Sequence, residues 1–262
     1  MIYVMSDIHG NMHHFRSVMD QIKLQPEDTL YVLGDVMDRY PDGVAILQEL
    51  MAMPNAKLLL GNHEYMLLQS LDRATNRSLD EDEQVRSLPR WQRNGGDLTK
   101  KALDALDKKE KQRIIRFIKK LPLFYELEVN GKHYRLIHAA PLDLFPAHEQ
   151  SYHNSTEYAV WHRWELEEPL PFETDTVFIF GHTPTMYFAK GTDPMQIFIW
   201  KNRIGIECGS GFPPTTKWRD LPGGRLACLR LDDMKEFYSE EESIEEWLAR
   251  NYKEAKLKWQ QP

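Results

Sequence analysis

Metal-binding side chains recur in this chain directly after short apolar runs. Asp7 and His9 follow Ile2–Met5, Asp35 and Asp38 follow Leu30–Leu33, and Asn62 and His63 follow Lys57–Leu60. His138 closes the run His133–Ile137, and His182 stands just beyond Thr176–Phe180. Carboxylate, amide oxygen and imidazole, with no thiolate among them, suit divalent manganese, iron, zinc or cobalt. A single string of this kind is weak evidence, whereas several in order at successive strand ends point to one site. Two cations held roughly 3.5–4 Å apart can activate a shared water near neutral pH and clamp an in-line displacement at phosphorus.

Positioning these groups requires their strands to end on a common edge. Over the first 62 residues, apolar runs alternate with a helical pattern at Met12, Phe15, Met19 and Ile22 and a second at Val44, Leu47, Leu50 and Met51, the latter opened by Pro41 and Asp42. That alternation predicts parallel βαβ units, whose ligands bind at the carboxyl ends of the strands. Asp7 and His9 are two residues apart, which on extended backbone turns both to one side. Gly34, Gly61 and Gly181 precede Asp35, Asn62 and His182; glycine lets the backbone turn sharply and approach a ligand. Residues 65–121 read as helical and polar, the acidic run from Asp80 to Glu83 being a solvated face. Asn130-Gly131 between Phe124–Val129 and His133–Ile137 marks a hairpin. Further strands are expected at Thr176–Phe180, Gln196–Trp200, Gly205–Glu207 and Arg225–Leu231, and a helix within Glu240–Lys258 carrying Ile244, Trp247, Leu248 and Tyr252. The expected class is α/β: two packed mixed β-sheets flanked by α-helices.

The 262 residues carry a formal net charge of -7, are 42% hydrophobic and contain two cysteines, Cys208 and Cys228. The acidic balance argues against nucleic acid or an anionic membrane as partner, since phosphate backbones demand a basic surface. The cysteines make no disulfide framework, which suits a reducing compartment. Residues 1–10 reach charged side chains too soon to be read as a signal peptide, and no apolar run approaches the roughly 20 residues needed to span a bilayer. A soluble cytoplasmic protein is expected.

Asp7-Ile8-His9-Gly10, Gly34-Asp35-Val36-Met37-Asp38-Arg39 and Gly61-Asn62-His63-Glu64 resemble the three signatures of the phosphoprotein-phosphatase branch of the calcineurin-like metallophosphoesterases. His138-Ala139-Ala140 and Gly181-His182-Thr183 resemble its two later histidine motifs. Trp91-Gln92-Arg93-Asn94-Gly95-Gly96 and Trp161-His162-Arg163 resemble segments of its bacterial and phage serine/threonine phosphatases. The departures are Leu60 where eukaryotic members carry arginine, Ala139-Ala140 after His138, and no second histidine two residues after His182. The resemblance implies a catalytic domain over 1–232, with 233–262 a strand/helix extension packed on it. It implies a first metal held by Asp7 and His9, a bridge at Asp35, and a second metal held by Asn62, His138 and His182. Manganese is the first expectation, with iron, zinc, cobalt or nickel as alternatives. Asp38 pairs with His63 in this reading, and Arg39 and Arg163 contact the phosphoryl oxygens.

In that chemistry the departing alkoxide needs a proton, which His63 can donate while Asp38 orients its ring. Arginine offers the phosphoryl group planar cationic donors. Neither cysteine lies in a phosphate-cradling loop with a downstream arginine, which argues against a cysteine-based phosphatase. The expected activity is hydrolysis of phosphoserine and phosphothreonine in a phosphoprotein or phosphopeptide. The alternative is a hydrolase of diadenosine polyphosphates or another small phosphoester. A catalytically inert phosphoprotein-binding module is opposed by retention of every candidate ligand and of the Asp38–His63 pair. His13, His14, His133, His148, His153 and His162 match no ligand position and read as surface or packing residues. Cys208 reads as a small buried hydrophobe, and Asn94 as either cleft lining or a turn residue.

Overall fold

Both faces of the amino-terminal strand are apolar, and both are buried. In β1 (Ile2–Met5), Tyr3 and Met5 face one cluster of the core while Val4 faces another, the period-2 alternation of a strand covered on both sides. Leu30 and Val32 of β2 (Thr29–Val32) divide from Tyr31 in the same way. In this computed structural model residues 1–188, 195–214 and 223–251 are described.

Two five-stranded mixed sheets result. In the first, β1 pairs in parallel with β2, and β2 with β3 (Ala56–Leu58). The crossover helices are α1 (Met12–Ile22) and α2 (Gly43–Ala52). The hairpin strands β4 (Phe124–Val129) and β5 (Lys132–Ile137) begin the second sheet. It continues in parallel through β6 (Val177–Phe180) and then β8 (Arg203–Gly205), which the antiparallel β7 (Phe198–Trp200) edges. The chain then returns to the first sheet as β9 (Ala227–Arg230), antiparallel to β1, and β10 (Lys235–Tyr238), antiparallel to β9. Asn130 and Gly131 both take positive φ, 52° and 74°, as a two-residue type I′ hairpin requires.

Val4, Tyr31 and Leu229 of the first sheet meet Leu136, Ile179 and Ile204 of the second in one buried layer. Helices cover the outer face of the first sheet. Among them are α3 (Asn62–Leu71), α4 (Arg73–Arg77), α5 (Glu81–Trp91), α6 (Asp97–Asp104) and α7 (Lys108–Ile118). Asp80 caps α5, so the acidic run fills that helix's first turn, where negative charge complements the dipole. Over the second sheet lie Tyr158 of α9 (Ser155–Trp161) and Trp164, against Phe178 and Phe180. The short α8 (Phe145–His148) precedes α9. Within α10 (Ile244–Asn251) stand Ile244, Trp247 and Leu248, whereas Tyr252 and the rest of the expected helix lie outside the described residues. Among the described residues no helix is long and apolar enough to cross a membrane.

Several strands differ from expectation: β2 and β3 begin and end earlier than Leu30–Leu33 and Lys57–Leu60. Strand β7 starts at Phe198 rather than Gln196, β9 covers only the middle of Arg225–Leu231, and β8 is Arg203–Gly205 rather than Gly205–Glu207. Glu207 lies beyond the ladder, its carboxylate grouped with Asp7 and His9.

Ile179 is fully buried between the sheets, so Ile179→Ala should lower the unfolding free energy by about 2–5 kcal/mol. Urea denaturation measures it; a loss below about 1 kcal/mol would mean that the layer around Ile179 collapses into the space left.

Candidate active site

At the carboxyl ends of β1, β2 and β6 the backbone enters the left-handed region. Asp7 (φ 56°), His9 (52°), Asp35 (53°), Asp38 (69°), Arg39 (65°) and His182 (61°) all lie there. This corrects the expectation of extended backbone at Asp7 and His9. The pairing of the two loops explains the difference: Asp7 N–H donates to Gly34 O (3.2 Å), His9 N–H to Asp35 O (2.9 Å) and Gly10 N–H to Val36 O (2.7 Å). Each such residue costs on the order of 1–3 kcal/mol, although aspartate and histidine tolerate the region better than most. At Gly61 φ is -97°, so the glycine serves space rather than turning. A Cβ at Gly61 would stand 2.2 Å from Asp35 Oδ1, and one at Gly181 2.1 Å from Ser6 Oγ.

Two clusters form around Asp35. In the first, His9 Nε2 lies 3.8 Å from both Asp7 Oδ1 and Asp35 Oδ2. In the second, Asn62 Oδ1 lies 3.0 Å from His138 Nε2 and 2.9 Å from His182 Nδ1, and Asp35 Oδ1 lies 3.6 Å from His138 Nε2. Asp35 therefore turns one oxygen to each cluster.

The donor atoms fit cations. His9 Nδ1–H donates to Met37 O (3.2 Å), His138 Nδ1–H to Leu33 O (2.7 Å) and His182 Nε2–H to Trp161 O (3.1 Å). These carbonyls fix the tautomers and leave the inward nitrogen of each ring bare, as metal ligation requires. His9 Nε2 and Asp7 Oδ1 are buried without a hydrogen-bond partner. Burial holds the His9 ring well below its ordinary value, helped by Arg39 and His63; burial and then His138 and Arg163 do the same for His182. Both are thus neutral ligands. Burial lifts the Asp35 carboxyl well above its ordinary range, against the pull of His63 and with the push of Asp7 and Glu64. A divalent cation would reverse that balance.

Beside the clusters stands a histidine–carboxylate pair. His63 Nδ1–H donates to Asp38 Oδ2 (2.7 Å), and Trp91 Nε1–H donates to the same oxygen (2.8 Å). His63 Nε2 consequently faces the centre, 3.9 Å from Asp35 Oδ2 and 3.5 Å from Arg39 Nη2. Arg39 is held by its N–H on Gly95 O (3.2 Å). Together with Tyr40, Arg93, Asn94 and Trp247 it lines a cleft of about 370 Å³. Asn94 also donates to Arg90 O (2.8 Å), so it fills both roles considered for it. Exposed at the rim, the Arg163 guanidinium lies 5.8 Å above the Tyr187 ring, and its charge acts on His182 and Glu207.

Residues 1–186 match the family model of calcineurin-like phosphoesterases. The chain belongs to that family. Calcineurin-like phosphoesterases use a dinuclear divalent metal centre, and the groups around Asp35 are candidates to hold one. Over 68 residues, 25% of this chain, it is 41% identical to a symmetrical bis(5'-nucleosyl)-tetraphosphatase of Erwinia tasmaniensis; the match spans only 25% of that relative's length. Over 219 residues it is 27% identical to serine/threonine-protein phosphatase 2 of Escherichia coli K12, covering 80% of this chain and 87% of the relative. The crystal structure of a metallophosphoesterase from Sphaerobacter thermophilus superposes with a TM-score of 0.55 over 97% of this chain and 94% of that one, at 15% identity. The last likeness shows a shared fold.

Two buried carboxylates complete the phosphoesterase site and are absent from the set read from sequence. Glu64, third residue of α3, accepts Asp35 N–H (2.8 Å), Val36 N–H (2.9 Å) and Gly61 N–H (3.2 Å). It clamps the loop carrying Asp35 onto the start of α3. Its position at the helix's first turn is the one sequence signal for this role. Glu207 is 2% exposed, its Oε2 has no hydrogen-bond partner, and it groups with Asp7 and His9 as a potential ligand. Burial lifts its carboxyl well above the ordinary range, with the push of Asp7 and Asp35 against Arg39 and Arg163. Cys208 is buried, and burial pushes its thiol up, which leaves it an inert neighbour.

Asp35→Asn should lower the divalent metal content and nearly abolish turnover, because one side chain faces both clusters. Elemental analysis beside a phosphatase assay measures this; full activity in metal-free protein would refute the dinuclear reading.

Proposed function

We propose that the protein removes phosphate from phosphoserine and phosphothreonine in proteins. The observation that carries this reading is the pairing of His63, oriented by Asp38, with Arg39 beside the Asp35-centred clusters. Serine and threonine alkoxides are poor leaving groups and need a proton in the transition state. Nε2 of His63 faces the Asp35-centred clusters, 3.9 Å from Asp35 Oδ2, which suits it to pass a proton to such a group. A phosphomonoester presents three free oxygens, which the Arg39 and Arg163 guanidinium groups suit as planar cationic donors. When bound, the metals supply an activated water and neutralise phosphoryl charge. Manganese is our first choice for them, with iron, zinc, cobalt or nickel matching the same donors. The relation to the Escherichia coli protein phosphatase over 80% of this chain supports the reading.

A second reading, hydrolysis of diadenosine polyphosphates, draws support from the 41% identity to the tetraphosphatase and from the Trp247 indole in the cleft beside Arg39 and Arg93. An aromatic face next to cationic groups can stack a nucleobase.

The choice is tested by comparing kcat/KM for a phosphothreonine peptide and diadenosine tetraphosphate under one metal and one pH. The peptide should win; a tenfold advantage for the dinucleotide, about 1.4 kcal/mol in the transition state, would replace the first reading by the second. His63→Asn should keep its metals yet lose about 10²–10⁴-fold in kcat on the peptide. The loss should shrink on an aryl phosphate, whose leaving group needs less protonation. Equal losses on both substrates would remove His63 as the donor.

A further inference from the structure

Apart from the dinuclear centre, a second convergence of ligand-type side chains lies over the second sheet. His148 ends α8, His162 follows α9, and Glu168 lies in the loop beyond. His148 Nε2 stands 2.6 Å from Glu168 Oε1, and His162 Nε2 stands 3.2 Å from Glu168 Oε2. All three ligand atoms lie within 4.8 Å of one another. Their side chains are 27%, 14% and 19% exposed, so the group is walled by protein yet open to entry from solvent.

The surroundings fix these groups before any ligand arrives. The buried Tyr158 ring stacks on both imidazoles at 22°, with centroid distances of 5.3 Å to His148 and 4.8 Å to His162. Tyr152 Oη lies 3.1 Å from His162 Nδ1. Without a cation His162 Nε2–H donates to Glu168 Oε2; with its proton moved to Nδ1 and given to the phenol oxygen, Nε2 is freed to ligate, the arrangement already seen at His9 and His138. Arg203, stacked 3.9 Å from the Trp164 ring centroid, donates to the backbone oxygens of Glu165, Leu166 and Glu168 and so anchors the loop that carries the carboxylate.

We propose that His148, His162 and Glu168 form a third, mononuclear site for a divalent transition metal, zinc in the first instance. Two imidazoles and one carboxylate are a known zinc donor set that leaves a position for water, and the imidazoles favour borderline metals over magnesium or calcium. The site ties α8 to the chain immediately after α9. Beside His162 stand Trp161, the last residue of α9, whose carbonyl holds His182, and Arg163. A metal here therefore braces the segment that orients one ligand of the dinuclear centre and one candidate phosphate contact.

Equilibrium dialysis of the full chain against Zn²⁺, followed by elemental analysis, tests the proposal. His148→Gln and Glu168→Gln should each bind one equivalent less than wild type, or bind it at least about tenfold more weakly, the smallest effect expected of a lost ligand. In an Asp35→Asn background, which weakens the dinuclear centre, one zinc should persist, and adding His148→Gln should remove it. Circular dichroism and thermal melting check the fold, and the near-isosteric Glu168→Gln carries the test if His148→Gln fails to fold. Wild-type stoichiometry and affinity in both folded variants would overturn the proposal, as would a wild type saturated without the extra equivalent. The group would then be an ion-pair network only.

Discussion

Four carboxylates, Asp7, Asp35, Glu64 and Glu207, are 1–2% exposed at one end of the paired sheets. Burying like charges together is costly unless each is paired or hydrogen-bonded, and much of the local structure answers that constraint. Glu64 receives three backbone N–H groups, Asp7 Oδ2 receives Ser6 Oγ–H and the His182 N–H, and Asp35 Oδ1 receives the His63 N–H. Asp7 Oδ1 and Glu207 Oε2 receive nothing from the protein, and His9 Nε2 faces them equally unpaired. Cations would complete this arrangement, because one positive centre takes lone pairs from a bare nitrogen and from carboxylate oxygens alike. The left-handed loops and the side-chain-free positions at Gly61 and Gly181 are the means of bringing the groups so close.

Much of this was legible in the sequence because its signals are local. Short apolar runs set β1, β2, β5 and β6, a two-residue turn set the hairpin, and metal-type residues followed the runs. The structure brings together Asp7, His9, Asp35, Asn62, His138 and His182, with Asp38 on His63. What stayed hidden is of two kinds. Backbone sign is one: spacing places Asp7 and His9 on one side but gives no φ, and the left-handed turns arise from pairing with a loop almost thirty residues on. Long-range assembly is the other. Glu207 is a lone glutamate after a strand whose end was misjudged by two residues. His148 and Glu168 carry no motif, His162 was quoted only within Trp161–Arg163, and the three meet around Tyr158 and Arg203.

The helical stretch between α4 and α6 adds a coupling that no motif announces. Helix α5 runs into a π-helical turn, Gln92–Gly96, where Gly95 at φ 93° breaks the regular path. That turn presents the Gly95 carbonyl to Arg39, while Trp91 just before it donates to Asp38. One segment thus holds both the Asp38–His63 pair and the backbone of Arg39. Side-chain direction within the catalytic set is in this way fixed by packing well away from the strand ends.

Ligands drawn from both sheets have a thermodynamic consequence. Asp7, His9, Asp35 and Asn62 follow strands of the first sheet, while His138, His182 and Glu207 follow strands of the second. Cations shared among them bind the folded chain and have no comparable site in the unfolded one, so mass action adds to stability. A cation at one hundred times its dissociation constant contributes about 2.7 kcal/mol. With these candidate ligands filled, the melting temperature should therefore rise with free metal concentration, and a chelator should act on the seam between the sheets as much as on turnover.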